Sequence, residues 1–75
     1  MSDGWLVEAR ISTMAEPGEV TQLFYVREED RVAAERALLR HLGEPDNARI
    51  SAVSPVLETV LDDLKLPQGA VMELP

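Results

Sequence analysis

The sequence predicts an α+β domain, a two-layer sandwich in the order strand, strand, helix, strand, helix, with both helices on one face of a mainly antiparallel sheet. Three observations carry this. Apolar and polar residues alternate from Trp5 to Ser12; a second β-rich run, Val20 to Arg27, follows a Pro17-Gly18 turn signal; and residues 28–43 place apolar side chains at helical spacing between an acidic start and a glycine stop. With 75 residues the chain has room for one core only, so residues 1–75 are read as a single small domain.

The first strand is expected over about 5–14, where Trp5, Val7, Ala9 and Ile11 alternate with Glu8, Arg10 and Ser12, the period of a strand with one buried face. The second, about 20–27, is rich in β-branched and aromatic residues. Between them, Glu16-Pro17-Gly18-Glu19 supplies a preset φ and a residue that accepts positive φ, a hairpin signal. A loop of four residues centred there pairs Ile11 with Phe24, Ala9 with Val26 and Glu8 with Arg27; a slip by one residue would set apolar side chains opposite polar ones.

A helix is predicted over about 29–42. Glu28, Glu29 and Asp30 suit its positive end and Arg40 and His41 its negative end, Ala34, Leu38 and Leu42 form the apolar stripe, and Gly43 followed by Pro45 stops it. A third strand is expected over 48–53, with Ile50 and Ala52 facing one way and Arg49, Ser51 and Val53 the other. Ser54 as N-cap and Pro55 at the first helical position then open a second helix over about 55–65, carrying Val56, Leu57, Val60, Leu61 and Leu64. Asp62 and Asp63 sit unfavourably near its negative end, and the tail 70–74 has the makings of a short C-terminal strand. The expected core is Val7, Ile11, Phe24, Val26, Leu38, Leu42, Ile50, Val60 and Leu61.

Composition narrows the function. Seven basic against fourteen acidic side chains give a formal net charge of −7, the wrong sign for direct binding to a phosphate backbone. The absence of cysteine removes thiolate chemistry and disulfides and fits a reducing, cytoplasmic compartment. The first residues lack a basic start and an unbroken apolar run, so neither a signal peptide nor a membrane span is expected. The preponderance of arginine over lysine hints at a bacterial, GC-rich source.

Catalytic and metal chemistry find no foothold. The single histidine, His41, is explained as a cation at a helix C-terminus, Ser54 as a cap, and the acidic runs Glu28-Glu29-Asp30 and Asp62-Asp63 as solvated helix surface. The four glycines are scattered among turns and caps with no phosphate-cradling motif, and no cofactor is expected. What remains is the second face of the sheet, where Arg10, Leu23, Tyr25 and Arg27 form a mixed surface of the kind enriched at protein interfaces. The chain therefore reads as a non-catalytic protein interaction or regulatory module whose open sheet face binds a protein partner or a second copy. The alternatives are an acidic decoy for a nucleic-acid-binding protein and an enzyme whose site forms across an oligomer interface with His41 or Tyr25.

Overall fold

The computed structural model describes residues 2–12 and 19–74. They form β1 (Ser2–Ser12), β2 (Glu19–Val26), α1 (Arg31–His41), β3 (Ala48–Leu57), α2 (Glu58–Asp63) and β4 (Val71–Glu73). The strands make one sheet in the order β3-β1-β2-β4, with every neighbouring pair antiparallel. The α+β class, the order of elements and the C-terminal strand are those the sequence predicts.

The register of β1 and β2 differs from the expected one. Val7 lies opposite Phe24, Trp5 opposite Val26 and Ile11 opposite Val20, so each β1 residue meets a partner four positions earlier than expected. A slip by an even number leaves every side chain on its face, and alternation alone therefore cannot distinguish the two registers. β1 instead starts at Ser2, where its first residues also pair with the far end of β3. The Pro17-Gly18 turn and the expected end of the first strand at Thr13-Met14 lie outside the described residues.

α1 is framed by local chemistry. Asp30 is extended and its carboxylate accepts from the Ala33 N–H at 3.0 Å, so the acidic trio precedes the helix and caps it instead of filling its first turn. At the other end Gly43 has φ +82°, its N–H donates to the Arg40 carbonyl at 3.0 Å, and the Glu44 N–H donates to the Leu39 carbonyl at 2.9 Å. That pair of bonds satisfies the orphan carbonyls of the last turn. Ala34 and Leu38 carry α1 onto Val7, Ala9, Phe24 and Val26, with Trp5, Ala37, Leu42, Ile50 and Val71 around them. The Trp5 indole N–H donates to the Glu29 carbonyl at 3.0 Å, tying the entry of the helix to β1.

β3 departs most from expectation. It continues through Ser54 and Pro55 to Leu57, and α2 is a short helix over Glu58–Asp63 instead of one over 55–65. The reason is a register shift. Val7 pairs with Ala52 but Leu6 with Ser54, so Val53 is an extra residue, a β-bulge. Before the bulge, the even positions Ile50 and Ala52 share the α1 face with Ala9 and Val7; after it, Val56 lies opposite Gly4 and joins the other face. Val56, Leu61 and Leu66 form a second buried cluster there, packed with Leu6, Tyr25, Leu64 and Ala70.

α2 therefore packs against the face opposite α1, which corrects the expectation that both helices share one face. The predicted core changes with it. Val7, Phe24, Val26, Leu38 and Leu61 are buried, but Leu61 belongs to the second cluster, Ile11, Leu42 and Ile50 are only half-buried, and Val60 is 37% exposed. The end of α2 repeats the geometry that ends α1: the Leu66 N–H donates to the Leu61 carbonyl and the Lys65 N–H to the Asp62 carbonyl, both at 3.0 Å, with Lys65 at φ +56° in place of a glycine.

β3 is also an edge strand. Ala52 sits opposite Val7, yet its N–H turns outward and donates to the Glu35 carboxylate of α1 at 2.9 Å. A carboxylate on an outward N–H, a bulge at Val53 and Pro55 in the same strand all blunt the pairing capacity of an exposed edge. Glu35→Ala is expected to lower stability by about 1 kcal/mol and to increase self-association, read as a lower urea midpoint and a concentration-dependent sedimentation coefficient. An unchanged midpoint and a monodisperse sample would show that Glu35 does not protect this edge.

Candidate partner-binding face

Arg10, Leu23, Tyr25 and Arg27 alternate with the core positions of β1 and β2, so they point to the face that carries the second cluster. α2 divides that face into a covered end and an open end, and the four residues split between them.

Tyr25 lies at the covered end. It is half-buried against Val56, Leu61 and Leu66. Arg27 is held by its own chain: its side chain is 16% exposed, Nη1 donates to the Leu66 carbonyl at 2.7 Å and Nη2 stands 3.0 Å from Asp62 Oδ1. The backbone of Arg27 does the same work, its N–H donating to the Ala70 carbonyl at 3.0 Å and its carbonyl accepting from the Gly69 N–H at 2.7 Å and from Gln68 Nε2 at 3.1 Å. Arg27 thus clamps the connection between α2 and β4, and its guanidinium offsets an Asp62 that is otherwise poorly placed at a helix C-terminus. Alternation assigned both residues to the correct face without showing that the chain itself would cover them there.

Arg10 and Leu23 lie at the open end. Arg10 is exposed and ion-paired with Glu8, while Leu23 is half-buried, lies opposite Glu8 and belongs to neither buried cluster. The sheet order adds neighbours that sequence reasoning did not single out. Arg49 and Ser51 of β3 are exposed and lie directly opposite Arg10 and Glu8, and Met72 of β4, 38% exposed, lies opposite Tyr25. Their signal was present, since Arg49 and Ser51 alternate with Ile50 and Ala52, but only the pairing of β3 with β1 puts them beside Arg10. Glu8, Arg10, Arg49 and Ser51 together line a shallow depression of about 260 Å³.

The open end is thus cationic toward β3, with Leu23 as its apolar residue on β2, while Met72 stands on the β4 edge level with Tyr25. Among the described residues it holds no paired nucleophile and base. His41 is remote from it in the fold, exposed at the end of α1 with its ring edge-on to Phe24 at a centroid distance of 6.4 Å. Among the described residues no three His, Asp or Glu side chains are grouped to hold a metal ion, and no helix is long and apolar enough to cross a membrane. No protein-family model, curated protein or solved structure matches the chain.

Proposed function

We propose that the chain is a non-catalytic interaction or regulatory module that binds a protein partner through the open end of its second sheet face, around Arg10 and Leu23. The observation that supports this most is the division of that face: among the described residues α2 covers Leu6 and Tyr25 but no helix covers Leu23, Arg10 or Arg49, and Met72 at the β4 edge is 38% exposed. Arginine beside a partly exposed apolar side chain on a sheet face is a surface composition that suits the centre of a protein interface. A small domain also gains stability when a partner buries such a face. The cytoplasm is the compartment we assign, and the absence of cysteine is compatible with its reducing conditions.

The test uses Leu23→Ser combined with Met72→Ser, since neither residue is in a buried cluster, whereas Tyr25→Ala would also damage the packing of α2. The immobilised chain is expected to retain specific proteins from an extract of its source cells, and the double variant to lose them while keeping the parental urea midpoint. If the double variant retains the same proteins, the open face is not the binding surface. Equal molecular masses of the free chain at two concentrations would assign the face to a different protein, and a concentration-dependent mass to a second copy.

A further inference from the structure

The two edges of the sheet are finished differently. At β3 the Glu35 carboxylate occupies the Ala52 N–H, Val53 bulges and Pro55 lacks a donor, so that edge resists a further strand. β4 carries none of these devices. The Arg27 N–H donates to the Ala70 carbonyl at 3.0 Å and the Leu74 N–H to the Leu23 carbonyl at 2.9 Å, so Ala70, Met72 and Leu74 turn their main-chain groups toward β2. Those of Val71 and Glu73 therefore point away from the sheet, where no described strand pairs with them.

We infer that β4 pairs antiparallel with β4 of a second copy, joining the two four-stranded sheets across a two-fold axis. This surface is separate from the open end around Leu23 and does not depend on that reading. The occupant is a second copy because the edge complements itself in one register. Val71 opposite Glu73 of the second copy engages both outward residues of each strand. Setting Glu73 opposite Glu73 opposes like charges, and setting Val71 opposite Val71 calls on the Gly69 N–H, which the Arg27 carbonyl already holds at 2.7 Å. Charge agrees with the favoured register. Val71 lies opposite Val26 and Glu73 opposite Phe24, both of the first buried cluster, so the two side chains stand on the α1 face. There Arg40 and His41 line a depression of about 520 Å³ together with Val71. Glu28 lines it from the Gly69 end, where its Oε1 would stand 3.3 Å from a Cβ on that glycine. Neighbouring strands lie about 4.8 Å apart, which brings Glu73 of the second copy beside Val71 and within reach of Arg40. Neither Glu73 nor Arg40 has an ion pair among the described residues, and the two-fold axis forms this contact twice. Because β3 resists a strand, assembly closes at two copies.

The test is sedimentation equilibrium of the full chain from about 1 μM to about 1 mM. The mass is expected to rise from 8.3 kDa toward twice that value, and amide exchange at Val71 and Glu73 to slow as it does. Glu73→Arg and Arg40→Glu each create a like-charge contact in the dimer and should associate at least about tenfold more weakly. Both residues are exposed, so each variant should keep the parental urea midpoint. An equimolar mixture of the two variants should restore association, because each chain then supplies the charge the other lacks. A mass of 8.3 kDa throughout, association that the single substitutions leave intact, or a mixture that fails to rescue them would each overturn the inference. A concentration-dependent mass is assigned to its surface by substitution. Association lost in Leu23→Ser and kept in Glu73→Arg places the second copy on the open face and overturns the edge dimer. The reverse keeps the edge dimer and leaves the open face to a different protein.

Discussion

Leu38→Ala is expected to lower the free energy of unfolding by about 2 to 5 kcal/mol, the range for truncating a fully packed leucine. Leu38 is completely buried, and with Ala34 it is one of only two buried residues of α1, so it carries most of the contact between that helix and Val7, Phe24 and Val26. At roughly 0.05 to 0.15 kcal/mol per residue, a domain of this size has about 4 to 11 kcal/mol in total. The variant should therefore unfold at a markedly lower urea concentration, with an unchanged slope if the transition stays two-state. A loss below about 1 kcal/mol would mean that the cavity collapses freely and that α1 is held by its caps and edges instead of by this side chain.

Gly4→Ala is expected to have a comparable effect through the opposite error, overpacking. A Cβ at Gly4 would stand 2.6 Å from the Val26 carbonyl oxygen, 2.7 Å from Leu61 Cδ1 and 3.3 Å from the Arg27 Cα. Leu61 can rotate away, but the Val26 and Arg27 backbone belongs to the neighbouring strand and cannot move without disturbing β2. We expect a loss of about 1 to 3 kcal/mol, with overpacking costs occasionally higher. A double-mutant cycle with Leu61→Ala separates the two clashes: relief of the Leu61 contact should make Gly4→Ala less costly in that background, while the Val26 oxygen keeps the cost above zero. If Gly4→Ala is neutral in the parent, the close approach of α2 to β1 over Gly4 is wrong.

Both predictions draw on different layers of information. Leu38 was identifiable from spacing alone, because its helix has one apolar stripe and a stripe must be buried. Gly4 was not. It was one of four glycines scattered among turns and caps, ahead of a strand expected from about residue 5, and it became a structural requirement only when β1 was extended to Ser2 and Leu61 was laid across it.

The candidate face divides in the same way. The exposed parity of Arg10, Leu23, Tyr25 and Arg27 follows from the two-residue period of β1 and β2. That Tyr25 and Arg27 are then covered follows from Val53, whose bulge moves Val56 to the second face and leads α2 over it. A bulge has no dependable signature in a single sequence. Ser54-Pro55 read as well as the start of a helix as it did as the end of an edge strand, because proline tolerates both positions.

By itself the sequence determined the elements whose cause is local: the alternation of β1 and β2, the stripe of α1 with its Gly43 stop, the faces of the core side chains of β1, β2 and α1, and a net charge that disfavours a phosphate backbone. Tertiary structure decided what depends on residues far apart in the chain. Registers differing by an even number of residues satisfy the same alternation, and a helix with one apolar stripe fits either face of a sheet. Only the joint packing of β3, α2 and β4 around Gly4, Leu61 and Arg27 makes one arrangement lower in free energy than the others, leaving Arg10 opposite Arg49 on the open end.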